Sequence, residues 1–502
     1  MFATAPATMC ARLKVAWEPT VLLAAVLGTG CGEAPTGASE LSPPPIASIS
    51  ITPSSVVMLE GERLQLVATL HDSTGVQLAG RIVTWWSLNA DVARVTPAGL
   101  VEAIGLGVVP VVAYSGGHVD TALIDVRVLF QSVSAGARHA CGVTMKDSGY
   151  CWGAGDVGRL GNGSTRTRTR PVRVRRGLNF RQLSAGRQFT CGLAGGGAYC
   201  WGSNRSGQLG SGAKDDTWAP VRVVGDERFG LVAAYAVHAC AVTVESLDAV
   251  CWGSDWTGQV GDGPRLRGLG PESVVGGLQF ISLDTGWLFT CGVATDGRAY
   301  CWGENDLGQL GRPDVEERCI DPFGVEVPCS TAPVPVSGAV TFQSVATGTK
   351  HACAVTSEGR AYCWGVNAYG QLGDGSTAGA TSPVQVVGGH SFALLAAGDQ
   401  HTCGLTVDGT AYCWGDNTSG ALGTSATFDS CSGYLCSTTP VAVSGGFKFR
   451  SLSVSRGAGG AHTCGVTVTN EAYCWGRNDS GQLGHGYRGG ISFSPVRVAG
   501  QP

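Results

Sequence analysis

The chain has 502 residues, of which 14% are charged and 77 are glycine, and its formal net charge is -4. So sparse and balanced a charge leaves no electrostatic footprint for a nucleic-acid backbone, and so much glycine fits a turn-rich sheet protein rather than a helical one. Twenty cysteines are far more than a chain kept in a reducing compartment would carry.

Residues 1–31 read as an export signal. Arg12 and Lys14 form a small positive region, and Val21 to Leu27 is an apolar run of seven residues, too short for the roughly 20 that span a bilayer. Leu27-Gly28-Thr29-Gly30 before Cys31 resembles a bacterial lipoprotein cleavage box, although Gly28 stands where leucine is usual. The resemblance implies that Cys31 is lipidated and that the chain meets a membrane only through that anchor. Conventional signal cleavage and secretion is the alternative. Residues 32–45, with Pro43-Pro44-Pro45, form a linker.

Residues 46–129 alternate apolar and polar positions in short runs, from Ile49-Ser50-Ile51 to Ala122 through Val128, which predicts a small β-sandwich. The strings around Trp86-Ser87-Leu88-Asn89, Val92-Ala93-Arg94-Val95 and Gly99-Leu100-Val101 resemble a group 2 bacterial immunoglobulin-like domain. With no cysteine here, the core must come from residues such as Val67, Trp85 and Val95.

From residue 130 to 502 the chain writes Cys-Trp-Gly seven times, at Cys151, Cys200, Cys251, Cys301, Cys363, Cys413 and Cys474. The intervals of 49, 51, 50, 62, 50 and 61 residues match a propeller blade and exceed helical or leucine-rich solenoid units. Four short β-type stretches recur per copy, one twisted antiparallel sheet each. The first copy starts at Phe130 without a Pro-Val-x-Val strand in front, and the last runs on to Pro495-Val496-Arg497-Val498. The expected fold is therefore all-β: a sandwich followed by a seven-bladed propeller whose C-terminal strand completes the first blade and removes both open edges.

Gln-Leu-Gly following Cys-Trp-Gly, at Gln208, Gln309, Gln371 and Gln482, resembles the regulator of chromosome condensation repeat, with Arg159 and Ala421 in place of Gln and Val260 in place of Leu. The resemblance spans about three quarters of the chain and implies a seven-bladed propeller. It does not fix a function, because members range from a nuclear guanine-nucleotide exchange factor to a secreted inhibitor of β-lactamase.

Each Cys-Trp-Gly follows another cysteine by nine to eleven positions across a predicted hairpin, close enough for a disulfide between facing strands. The expected pairs are Cys141 with Cys151, Cys191 with Cys200, Cys240 with Cys251, Cys291 with Cys301, Cys353 with Cys363, Cys403 with Cys413 and Cys464 with Cys474. The two longer intervals carry insertions with their own pairs, Cys319 with Cys329 and Cys431 with Cys436, placed so that both project from one face. His139, His238, His351, His401 and His462 stand two residues before a cysteine, but the short Cys knuckles of a zinc site are missing and Phe189 and Phe289 hold the same place twice. No metal or cofactor is expected.

The repeated tryptophans read as packing between neighbouring sheets. Recognition is expected from aromatics that the repeat does not demand, Trp218, Trp256, Trp287, Tyr369, Phe428 and Tyr434, with Glu316 and Phe323 of the first insertion. No nucleophile elbow, metalloprotease helix, phosphate loop or sialidase turn box is present, and Asp255, Asp262, Asp296, Asp408 and Glu358 fall at turns. The expectation is a monomeric, non-catalytic surface lipoprotein that binds a protein or glycan. A secreted hydrolase or hydrolase inhibitor is the alternative, and an exchange factor is disfavoured because an exported chain never meets a cytosolic GTPase.

Overall fold

Strand alternation in the N-terminal module resolves into a sandwich. One sheet holds Ser55–Leu59, His118–Arg127, Gly107–Ser115 and Thr84–Ser87, a second holds Arg63–Gln65, Leu100–Ala103 and Ala93–Val95, and Ser48–Thr52 pairs with Val67–His71 in a two-stranded third. Ile51, Met58, Leu66, Val101, Val111, Ile124 and Val126 fill the space between, with Trp85 and Val95 packed at its margin. Val67 is not in this core: it is 54% exposed, because Leu66 points inward and the alternation puts the next side chain on the other face. The computed structural model describes residues 43–175, 177–263, 269–426, 429–431, 433–457 and 461–502, so Cys31 and Phe428 lie outside the described residues. Residues 46–502 form one compact unit.

Beyond the sandwich, the described residues form seven further antiparallel sheets. Sheet one contains Phe130–Ala135, His139–Thr144, Gly149–Gly153 and Arg168–Arg173, and sheet seven contains Phe449–Val454, His462–Thr467, Ala472–Arg477 and Ile491–Arg497. Strand order follows chain order within each of these two. The expected swap is absent: Ile491–Arg497 pairs with Ala472–Arg477 of its own sheet, Cys474 facing Val496, just as Cys151 faces Val172 in sheet one. Every Pro-Val-x-Val strand completes the sheet of the Cys-Trp-Gly before it, so no strand is left over to cross. Sheets one and seven meet through side chains instead, Phe130, Val133, Tyr150 and Trp152 packing with Val466, Ala472, Leu483 and Val498.

Both insertions form hairpins. Arg318–Ile320 pairs with Glu326–Pro335 and gives sheet four a fifth strand, and Asp429–Cys431 pairs with Tyr434–Ala442 in sheet six. In an antiparallel meander the turns from strand one to two and from three to four lie at the same end. Hence the one-to-two turns and both insertions share one face. The hairpins between strands two and three lie at the other, where Gly297 adopts φ +82 to close its loop.

Candidate functional site

Most repeated residues are used up in stapling strands within a sheet or in joining one sheet to the next. Cys141 and Cys151 are directly opposed, Cα atoms 4.0 Å apart, and the six other repeat pairs stand at 4.0 to 4.1 Å, all disulfide-bonded. The two insertion pairs are bonded at 5.8 Å. Each repeated tryptophan is buried and donates its indole N–H to a backbone carbonyl of the preceding sheet: Trp201 to Arg159, Trp302 to Gln259, Trp414 to Gln371 and Trp475 to Ala421, at 2.9 to 3.0 Å. Trp152 makes the same bond to Gln482 of sheet seven at 2.9 Å. Because the acceptor is main chain, Arg159 and Ala421 serve as well as glutamine.

The histidines join sheets too. Nε2 of His139, His238, His351 and His401 lies 2.9 to 3.1 Å from Thr190, Thr290, Thr402 and Thr463 of the following sheet. Each threonine hydroxyl donates to a backbone carbonyl, of Arg159, Gln259, Gln371 and Ala421 respectively, so the imidazole must be the donor in its own contact. Burial pushes His238, His351 and His401 down to about 3 and His139 well below its ordinary value. Among the described residues, Glu317, Cys319 and Cys329 stand close enough to hold an ion, but the two cysteines are bonded to each other.

What remains is the face formed by the strand one-to-two turns. At its centre Arg187 lies over the Trp287 ring at 4.6 Å, Trp287 meets Tyr235 edge-on at 6.3 Å, and Arg456 donates to Asp284 at 3.0 Å while covering Tyr235. Away from the centre, a cavity of about 210 Å³ opens among sheets five, six and seven, lined by Tyr369, Asp399, Gln400, Asp416, Tyr434 and Arg477 among others. The tyrosine rings are 5.8 Å apart and tilted by 60°. Asp416 is 7% exposed and accepts from the Thr418 N–H at 3.1 Å. Burial raises the Asp399 carboxyl above its usual range, a hydrogen bond from Thr349 opposing it and the charge of Asp416 adding to it. Arg477 is paired with Asp479.

The expected recognition residues divide accordingly. Tyr369 and Tyr434 meet in the cavity, and Trp287 belongs to the centre of the face. Trp218 is 53% exposed on the outer strand of sheet two, Trp256 is 39% exposed in sheet three, and Phe323 is 80% exposed at the tip of the first insertion, with Glu316 exposed at its base. Those four do not converge. Arg187 and Asp399 occupy turn positions, and Asp416 a strand end, whose residue type varies between copies, so the repeat does not mark them.

Models of the regulator of chromosome condensation (RCC1) repeat match residues 148–193, 195–242, 296–355 and 470–502, and a second model of the same repeat matches 180–208, 280–309, 342–371, 388–421 and 457–482. The chain belongs to the regulator of chromosome condensation repeat family. A bacterial Ig-like domain (group 2) model matches 45–125. Similar members of the repeat family include the ultraviolet-B receptor UVR8 of Arabidopsis thaliana, 32% identical over 365 residues, 71% of this chain and 67% of that protein. The E3 ubiquitin-protein ligase HERC2 of Homo sapiens is 26% identical over 252 residues, 49% of this chain and 4% of that protein. Among solved structures, Prp20p from Saccharomyces cerevisiae has a TM-score of 0.61 at 21% identity, covering 74% of this chain and 87% of that one. Human WBSCR16 has a TM-score of 0.59 at 19% identity, covering 70% and 94%. The family thus carries receptors and ligases on one propeller-type fold, and activity does not follow from membership.

Proposed function

We propose that the chain is a non-catalytic, exported binding protein: lipidated at Cys31, tethered by residues 32–45, and displaying a closed ring of seven blades whose turn face engages a protein or glycan on the bacterial surface. Nine disulfides support an oxidising compartment, and among the described residues no helix is long and apolar enough to cross a membrane. Contact of sheet seven with sheet one supports closure of the ring. The single observation that carries the binding role is the convergence of both disulfide-bonded insertions with the aromatic cavity on one face.

The test is capture of envelope extract and of a glycan array by the exported protein, beside a variant in which Arg312 to Cys329 is replaced by a short turn. Retention by the parent and its loss from the variant is the expected result. Equal retention, or turnover of a polysaccharide by the parent, contradicts the proposal.

A further inference from the structure

Sheets four and six are counterparts: both carry a cysteine-bonded insertion, and both place an acidic residue directly after Cys-Trp-Gly, Glu304 and Asp416. The two acids occupy matching positions. Glu304 N–H donates to Leu288 O and faces Cys329 in the strand ladder, while Asp416 N–H donates to Gln400 O and faces Cys436. Glu304 is buried, and burial raises its carboxyl, the Lys350 ammonium opposing that shift. Lys350 comes from the one-to-two turn of sheet five, immediately before His351, and also reaches Asp306 at 3.1 Å. The chain therefore supplies its own cation at this acid.

At the sixth and seventh sheets the same architecture lacks that cation. The residue in the place of Lys350, immediately before His462, is Ala461, and Ala461 lines the 210 Å³ cavity beside Asp416. A second carboxylate, Asp399, and two tyrosine rings complete the walls. We infer that this cavity receives the ammonium group of a lysine side chain from a protein partner, which takes the place that Lys350 fills in the fourth and fifth sheets. The inference rests on the binding role proposed above and chooses protein over glycan for this site.

The chemistry favours that choice. Tyrosine faces attract a cation through their quadrupole, and a desolvated carboxylate gains most from a charged donor. The rings pack against each other at 5.8 Å and are tilted by 60°, so they form an angled aromatic wall rather than a flat platform for a sugar. Arg477 at the rim is already engaged by Asp479.

The experiment uses the full exported protein and Nα-acetyl-lysine methylamide as probe, titrated by ligand-observed NMR beside the isosteric norleucine derivative and N-acetylglucosamine. The lysine probe is expected to bind with a millimolar Kd, and the other two are expected not to compete. Asp416→Asn should weaken binding by about tenfold or more. Because a change at a buried carboxylate can disturb folding, Ala461→Lys provides the second arm: it should restore the internal ion pair, abolish probe binding and leave the melting temperature equal or higher. Equal binding of norleucine or sugar, no binding of lysine by the folded parent, or lysine binding that survives Ala461→Lys overturns the inference. Partner capture that persists when the lysine probe fails leaves the broader role standing. Lysine binding without any capture removes that role and not the site.

Discussion

A buried imidazole that bonds a threonine across a sheet boundary makes stability depend on pH. In the unfolded chain histidine titrates near 6.5, while burial holds His238, His351 and His401 at about 3. Between those values the unfolded state binds the extra protons, so stability is complete above about pH 6.5 and falls as the pH falls, by up to about 1.4 kcal/mol per pH unit for each group. Chemical denaturation of the oxidised protein from pH 8 to pH 4 should show this slope. His351→Phe should make it shallower, and a slope unchanged in the variant contradicts the assignment. At pH 7.5 the same variant should lose about 1 to 3 kcal/mol, because the Thr402 hydroxyl loses a buried partner. His351→Phe with Thr402→Ala should recover part of that loss, since Phe189 already sits against a sheet whose matching residue is Ala239. The pattern stands in the sequence: His139, His238, His351 and His401 are each followed one copy later by threonine, and Phe189 and Phe289 by alanine. Comparing each copy with itself hides it; comparing each with the next reveals it. His462, answered by Ala140, departs from it.

At the scale of the strand and turn, cysteine spacing and tryptophan recurrence were readable because a hairpin forces residues about ten apart to face one another. The place of the fourth strand was not. A repeated sequence can be cut at any phase, and only the hydrogen-bond register, Cys474 against Val496, decides which sheet owns the last strand. The cavity was equally hidden, since its defining feature is a lysine that one copy has and another lacks. Glycine of Gln-Leu-Gly shows what the joints tolerate: Gly373 adopts φ +69, and a Cβ there would stand 2.7 Å from the Trp414 indole nitrogen. Gly373→Ala should cost about 2 kcal/mol or more, measured by urea unfolding. The insertion staple behaves differently. Cys319→Ser with Cys329→Ser frees an edge hairpin, so hydrogen exchange should rise over residues 318–335 while the melting temperature barely moves; a lower global melting temperature contradicts its peripheral place.

On the scale of the whole chain, the immunoglobulin-like module is docked rather than strung out as a free stalk. Tyr150 of sheet one lies 2.9 Å from the Leu106 amide, which donates to it, Arg173 donates to Ile104 O at 2.8 Å, and Thr144 donates to buried Glu60 at 2.7 Å. Arg127 reaches Gln501 O, and Val128 N–H donates to Gly500 O, so the module holds the chain end beside the first sheet. Arg173→Ala with Tyr150→Phe should split a single calorimetric transition into two, and one unchanged transition would show that the contact adds nothing. The central claim, that an oxidised and stapled propeller is displayed outside the reducing cytosol, is tested most directly by a peptide mass map of the mature exported protein, alkylated without reduction. It should show nine links, the seven repeat pairs with Cys319 to Cys329 and Cys431 to Cys436, and a lipid on Cys31; free thiols at the repeat cysteines would contradict it.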